Sequence, residues 1–165
     1  MAVLVGKKAP DFVAPAVMPN NSINEKFQFS QHIKGKYAVL FFYPRDDAPF
    51  CTLEAIDFTD HEEEFTRASC TILGVSRDDC LSHAEFRDKH GLSVRLLADM
   101  EGEVSRKYGV CQMKEKDGVR KLCVVRSTFV IDSEGVVRHA LYDIKPRGHV
   151  AEVLQLVKQL EQPCK

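Results

Sequence analysis

An unbroken apolar run, Tyr37-Ala38-Val39-Leu40-Phe41-Phe42-Tyr43, stops at Pro44. A run this short without polar alternation fits a strand covered on both faces, and a proline has no N–H with which to continue a ladder. After the turn Arg45-Asp46-Asp47-Ala48-Pro49-Phe50 comes Cys51, then a stretch of helical composition carrying Glu54, Asp57 and Asp60. The order strand, proline, turn, cysteine, helix sets one thiol at the start of a helix beside a buried strand. Backbone N–H groups in a first helical turn lack intrahelical partners and carry partial positive charge, which favours thiolate over thiol. A free cysteine titrates near ~8.5, and helix N-termini can lower that value substantially. Cys51 is therefore the leading candidate nucleophile. The alternative is a small buried hydrophobe, the default for the other five cysteines.

The rest of the chain narrows the field. Its 165 residues suit one domain, 1–165, with a core that needs no staples. A net charge of −1 gives no electrostatic footprint for nucleic acid or an anionic membrane. The N-terminal apolar stretch is too short for a signal peptide, and no run approaches a membrane span. A soluble, cytoplasmic protein is the expectation. Cysteines fall at 51, 70, 80, 111, 123 and 164, with no Cys-x-x-Cys pair, which argues against a zinc ribbon or a dithiol motif. Reduced thiols fit better than a disulfide scaffold in a chain with this much apolar core. The histidines at 32, 61, 83, 90, 139 and 149 lack ligand-type spacing, so surface or capping roles are expected, with no metal and no cofactor. Glu62-Glu63-Glu64 reads as a solvated helix face.

Strands and helices alternate. The first ~30 residues are rich in turn formers and suggest short strands. Thr71-Ile72-Leu73-Gly74-Val75-Ser76 reads as a second buried strand, and Asp78 or Asp79 as the cap of a helix that Gly91 ends. Leu96-Leu97-Ala98-Asp99 leads to a short helix near 102–108. A polar excursion over 112–121 holds a hairpin turn at Lys116-Asp117-Gly118. Residues 127–132 and 136–142 read as antiparallel strands. Val150, Val153, Leu154, Val157 and Leu160 then make one apolar helical stripe closed by Pro163. The class is α/β, with a central mixed β-sheet flanked by helices.

The ordered set of these segments resembles a peroxiredoxin over nearly the full length. The matching pieces are Gly6-Lys7-Lys8-Ala9-Pro10-Asp11-Phe12, Phe41-Phe42-Tyr43-Pro44 with Cys51-Thr52, Leu73-Gly74-Val75-Ser76, Leu96-Leu97-Ala98-Asp99, Tyr108-Gly109-Val110, and Arg126-Ser127-Thr128-Phe129-Val130-Ile131-Asp132. The first 43 residues look like the alkyl hydroperoxide reductase branch. From Cys51-Thr52-Leu53-Glu54-Ala55 onward the chain is closer to the bacterioferritin-comigratory, or Q-type, branch. The resemblance implies a thioredoxin-like fold and thiol-dependent reduction of hydrogen peroxide or organic hydroperoxides. It casts Cys51 as the peroxidatic cysteine that becomes a sulfenic acid, Pro44 as its shield, and Arg126 as the group holding thiolate and peroxide. It further implies recycling by thioredoxin, glutaredoxin or a similar thiol donor, in a monomer or homodimer.

Two positions depart from the family pattern. The Thr or Ser expected three residues before the cysteine is Ala48. Loss of one preorganised donor from such a site costs ~10²–10³ in rate. A slow natural enzyme, an engineered variant, and a peroxide-sensing or chaperone-like protein on the same fold are the three accounts of that alanine. The usual resolving positions are Ile56 and, by spacing, Arg87. Cys80, Cys164 and Cys111, in that order, are the candidate substitutes, beside a one-cysteine mechanism using an external thiol. Cys70 and Cys123 read as core.

Overall fold

The 37–43 run is apolar throughout because both faces of its strand are covered. In this computed structural model, which describes residues 4–145 and 147–161, the elements in chain order are β1 (Val13–Val17), β2 (Ile23–Gln28), α1 (Phe29–His32), β3 (Tyr37–Phe42), α2 (Pro49–Asp60), α3 (Glu62–Arg67), β4 (Cys70–Ser76), α4 (Cys80–His90), β5 (Arg95–Ala98), α5 (Glu103–Lys107), β6 (Cys111–Lys116), β7 (Val119–Val124), β8 (Ser127–Ile131), β9 (Val137–Leu141) and α6 (His149–Glu161). Seven strands form one sheet in the order β2-β1-β5-β4-β3-β8-β9, and β6-β7 form a separate hairpin. The pairs β3/β4 and β4/β5 are parallel, whereas β1/β2, β1/β5, β3/β8 and β8/β9 are antiparallel. The expected mixed sheet is therefore observed, with β3 and β4 at its centre.

Period-two alternation along β3 feeds two cores. Ala38, Leu40 and Phe42 pack with Phe12, Phe29, Tyr108 and Phe129 on one face. Val39, Phe41 and Tyr43 pack on the other with Phe58 of α2, Phe65 of α3, Phe86 of α4 and Val150, Val153, Leu154 and Val157 of α6. Four of the five stripe residues expected on the last helix are thus buried, and Leu160 lies half-buried beside them.

Local signals act where expected. Asp79 caps α4 by accepting from the Ser82 N–H at 2.8 Å, and Gly91 ends it in the left-handed region at φ 62°. Asp117 and Gly118 turn the β6-β7 hairpin with φ of 53° and 76°. Pro163 lies outside the described residues. Among those residues no helix is long and apolar enough to cross a membrane.

Gly74, at the middle of β4, is set by close approach. A Cβ there would lie 2.7 Å from Phe41 Cζ and 2.8 Å from Leu96 Cδ2. That space lets Phe41 stack on Phe58 with centroids 4.6 Å apart, which seats α2 against the sheet. Gly74→Ala is expected to destabilise the fold by about 1–3 kcal/mol through overpacking, measured by urea unfolding; an unchanged midpoint would show that Phe41 has free room to move.

Candidate active site

The turn between β3 and α2 is held by charge and hydrogen bonds. Asp46 is 8% exposed, and its Oδ1 accepts from the Tyr43 hydroxyl at 2.6 Å. Its Oδ2 receives the Ser82 hydroxyl at 2.8 Å and His83 Nδ1 at 2.7 Å. The Asp46 N–H donates to Asp78 at 2.7 Å. Fully buried His83 donates from its other ring nitrogen to the Leu97 carbonyl at 2.8 Å, so both nitrogens face acceptors. Asp47, at φ 62°, meets Lys89 at 2.6 Å and His90 at 2.8 Å on the same helix. The turn is thereby fixed to α4, and α2 must start where it does.

Cys51 lies in the first turn of α2, with Ala48 at the N-cap and Pro49 inside the start. Ala48 offers no side-chain cap; the Thr52 N–H and hydroxyl both donate to its carbonyl, at 2.8 and 2.9 Å. Cys51 is 1% exposed. Burial is the largest influence on its thiol and raises the pKa. A backbone hydrogen bond from Arg45 and the charge and hydrogen bond of Arg126 pull it down, while Glu54 pushes it up. The net shift is upward, opposite to what helix position alone suggests. Desolvation outweighs the pull of Arg45 and Arg126.

Arg126, just ahead of β8, brings the site together. Its charge acts on the Cys51 thiol, and its guanidinium carbon stands 6.0 Å from the Phe50 ring centroid. Two grooves meet at it. An apolar one of about 780 Å³ is lined by Phe50, Leu53, Ile56 and Ile144, with Lys145 and Arg147 at its edge. A second, of about 620 Å³, is lined by Pro44, Cys111, Gln112, Val125 and Tyr142. Pro44, Cys51 and Arg126 are thus gathered at one place.

The candidate resolving positions separate. Cys111 shares the second groove with Pro44 and Arg126, and its thiol is near Ser105, Asp99, Arg77 and Arg106. Cys80 lies at the start of α4, where burial and the charges of Asp79 and Glu25 raise its pKa, and it lines neither groove at Arg126. Cys164 lies outside the described residues. Ile56 lines the apolar groove. Arg87 is buried, donating to the Val94 carbonyl at 3.0 Å and to Asn21, and so ties the β1-β2 turn to α4. Cys70 is core as expected, its thiol pushed up to about 12 by burial. Cys123 is a correction: it is half-buried on the projecting hairpin, because β7 leaves the main sheet.

Histidine roles also need correcting. His83 and His149 are buried, at 0% and 4% exposure, rather than on the surface. His149 meets the Thr128 hydroxyl at 2.8 Å and packs edge-on against Phe58. Burial first, then Arg126, lowers its pKa to about 4, so the ring is neutral near pH 7. Glu54 is the site residue that sequence reasoning passed over. It is fully buried, and its pKa is raised to about 8 by burial, with Arg126 opposing. Its spacing three residues after Cys51 was the available signal, since i and i+3 share a helical face.

These features match known proteins. A family model described as the AhpC/TSA family covers residues 5–140. Peroxiredoxin Bcp of Bacillus subtilis is 38% identical over 162 residues, spanning 98% of this chain and 99% of its own. Peroxiredoxin-2 of mouse is 38% identical over 165 residues, spanning 95% and 79%. The solved bacterioferritin comigratory protein of Xanthomonas campestris superposes with a TM-score of 0.80 at 32% identity, covering 90% of this chain and 92% of its own. The chain belongs to the AhpC/TSA family, as a thioredoxin-fold peroxiredoxin of the bacterioferritin-comigratory branch. It is accordingly a thiol-dependent peroxidase.

Asp46→Ala leaves Tyr43, Ser82 and His83 without their shared acceptor. Breaking such a buried pair is expected to cost about 3–5 kcal/mol in urea unfolding; a loss under about 1 kcal/mol would mean the turn is held elsewhere.

Proposed function

We propose that Cys51 is the peroxidatic thiol for hydrogen peroxide and organic hydroperoxides, with Arg126 and Pro44 completing its site. The carrying observation is that Arg126, whose charge acts on the Cys51 sulfur, lines both grooves, one of them together with Pro44. The thiolate attacks the outer peroxide oxygen, the O–O bond breaks, and the inner oxygen leaves as water or alcohol. Charge spreads from sulfur onto oxygen in that step, and a planar guanidinium can bridge both atoms. Pro44 covers the site without presenting an N–H that competes for the sulfur. The apolar groove suits the organic part of an alkyl hydroperoxide. The Xanthomonas relative is described as reducing alkyl peroxides, which supports this reading.

Cys111 is the proposed resolving residue, ahead of Cys80, because it lines the groove shared by Pro44 and Arg126. Its thiol attacks the Cys51 sulfenic sulfur, forming a disulfide and releasing water. Cys51 is buried, so the first turn of α2 must open for the sulfurs to meet. A thioredoxin- or glutaredoxin-type donor then reduces the bridge. A sensing or chaperone role rests on Ala48 alone, and the family match favours turnover.

Reduced protein treated with about one equivalent of hydrogen peroxide is expected to give a Cys51–Cys111 bridge by mass mapping. A trapped Cys51 sulfenic acid without any bridge would mark a one-cysteine mechanism and remove Cys111 from the scheme. A Cys51 that stays a thiol would overturn the peroxidatic assignment. Ala48→Thr adds both a helix cap and a peroxide donor. It is expected to raise the rate constant by ~10²-fold or more and stability by about 1 kcal/mol; a stability gain without a rate gain would place the hydroxyl off the peroxide's path.

A further inference from the structure

The amino ends of β3, β4 and β5 frame a pocket that the peroxide chemistry does not use. β3 begins at Tyr37, β4 at Cys70 and β5 at Arg95, and the three strands run parallel. Pro44 follows the other end of β3, so six strand residues, ~20 Å of extended chain, separate the pocket from the Cys51 turn. The pocket has a volume of about 460 Å³ and is lined by Lys36, Glu62, Thr66, Ser69, Thr71 and Arg95. Two neighbouring arginines differ here. Arg87 spends its donors on the fold, on the Val94 and Pro19 carbonyls and on Asn21. Arg95 does not: its Nε is buried without a hydrogen-bond partner among the described residues. Neither Arg95 nor Lys36 takes part in an ion pair among those residues.

We propose that this pocket binds a phosphate group, carried by a small organic ester or as the free ion, with Arg95 and Lys36 as its cations and the Thr66 and Ser69 hydroxyls as further donors. The site lies at the end of the sheet opposite Cys51 and is independent of the peroxidatic assignment.

Charge is unbalanced around the pocket. Lys36 and Arg95 line it, Arg87 lies close enough to Arg95 to feel its charge, and Glu62 is the one acid in the lining. Glu62 is itself engaged, accepting the Ser93 hydroxyl at 2.8 Å. The positive field extends to His32, whose Nε2 meets the Thr71 hydroxyl at 2.9 Å. Burial first, then Arg95 and Lys36, lower the His32 pKa to about 4, so its ring is neutral near pH 7 and adds no cation. An anion relieves this repulsion and partners a guanidinium nitrogen that is costly to leave buried alone.

The donor set selects phosphate over carboxylate. A phosphate ester carries a charge of about −1.5 to −2 near pH 7 and three acceptor oxygens, enough for a guanidinium, an ammonium and a hydroxyl at once. A carboxylate has one charge and two oxygens. Pro19 and Ile72 add apolar wall for the organic part of an ester. The lining comes from α3, β4, β5 and the segments before β3 and β4, so the site exists only in the folded chain. Phosphate therefore stabilises the fold in step with its occupancy.

The test is calorimetric titration of the reduced full chain near pH 7 with inorganic phosphate, phenyl phosphate and acetate, at an ionic strength fixed by sodium chloride. Amide and His32 ring resonances are followed by NMR in parallel. Saturable binding is expected, with phosphate or its ester held at least ~10-fold more tightly than acetate. The shifted resonances are expected to centre on Lys36, residues 66–71, Arg95 and the His32 ring. Arg95→Met is expected to weaken binding ~10-fold or more and exposed Lys36→Gln about 3-fold, whereas Glu62→Gln strengthens it. Tighter binding of phenyl phosphate than of phosphate assigns an ester, and equal or weaker binding assigns the free ion. Absence of saturable binding, acetate bound equally well, or shifts centred on residues 44–51 and Arg126 would overturn the proposal. So would unchanged affinity in the variants. Should Arg95→Met fail to fold, the opposite effects of Lys36→Gln and Glu62→Gln decide the matter.

Discussion

Asp46 collects hydrogen bonds from Tyr43, Ser82 and His83 while its own N–H reaches Asp78. Those contacts join the end of β3 to the start of α4, and the six residues after Pro44 have little freedom left. Cys51 therefore enters α2 at one height above the sheet. A buried carboxylate with several donors is stable only while all its partners are present. The site's geometry depends on this cluster more than on any contact made by Cys51 itself.

At Cys51 two large effects oppose each other. Removing the sulfur from water favours the neutral thiol, whereas Arg126, the Arg45 N–H and the helix terminus favour the anion. Burial dominates in the resting protein. In the proposed reaction the balance shifts when peroxide enters, because the developing charge spreads onto oxygen beside the same guanidinium. On the proposed assignment, catalysis draws on stabilisation that grows along the reaction coordinate.

Much of the fold was legible because its signals are local. Pro44 ends β3, Asp79 and Gly91 bracket α4, Asp117-Gly118 turns the hairpin, and the Val150 to Leu160 stripe marks α6. The roles of His83, His149 and Glu54 were not, because burial of a polar side chain is settled by tertiary packing. His83 meets Asp46 across 37 positions of sequence, and no spacing rule connects them. Cys123 was misplaced for a related reason. An apolar-flanked cysteine reads as core until the topology sends its strand into a separate hairpin. The order of the resolving candidates changed likewise, since groove lining is a property of three dimensions.

The central claim is that Arg126 stabilises the reacting sulfur and oxygen in a dry site at the start of α2. Its most direct test is single-turnover peroxide consumption at pH 7 by wild type and Arg126→Gln, with folding confirmed by circular dichroism. The account predicts a loss of ~10²–10³ in the rate constant with the fold intact. Equal rates in a folded variant would contradict it.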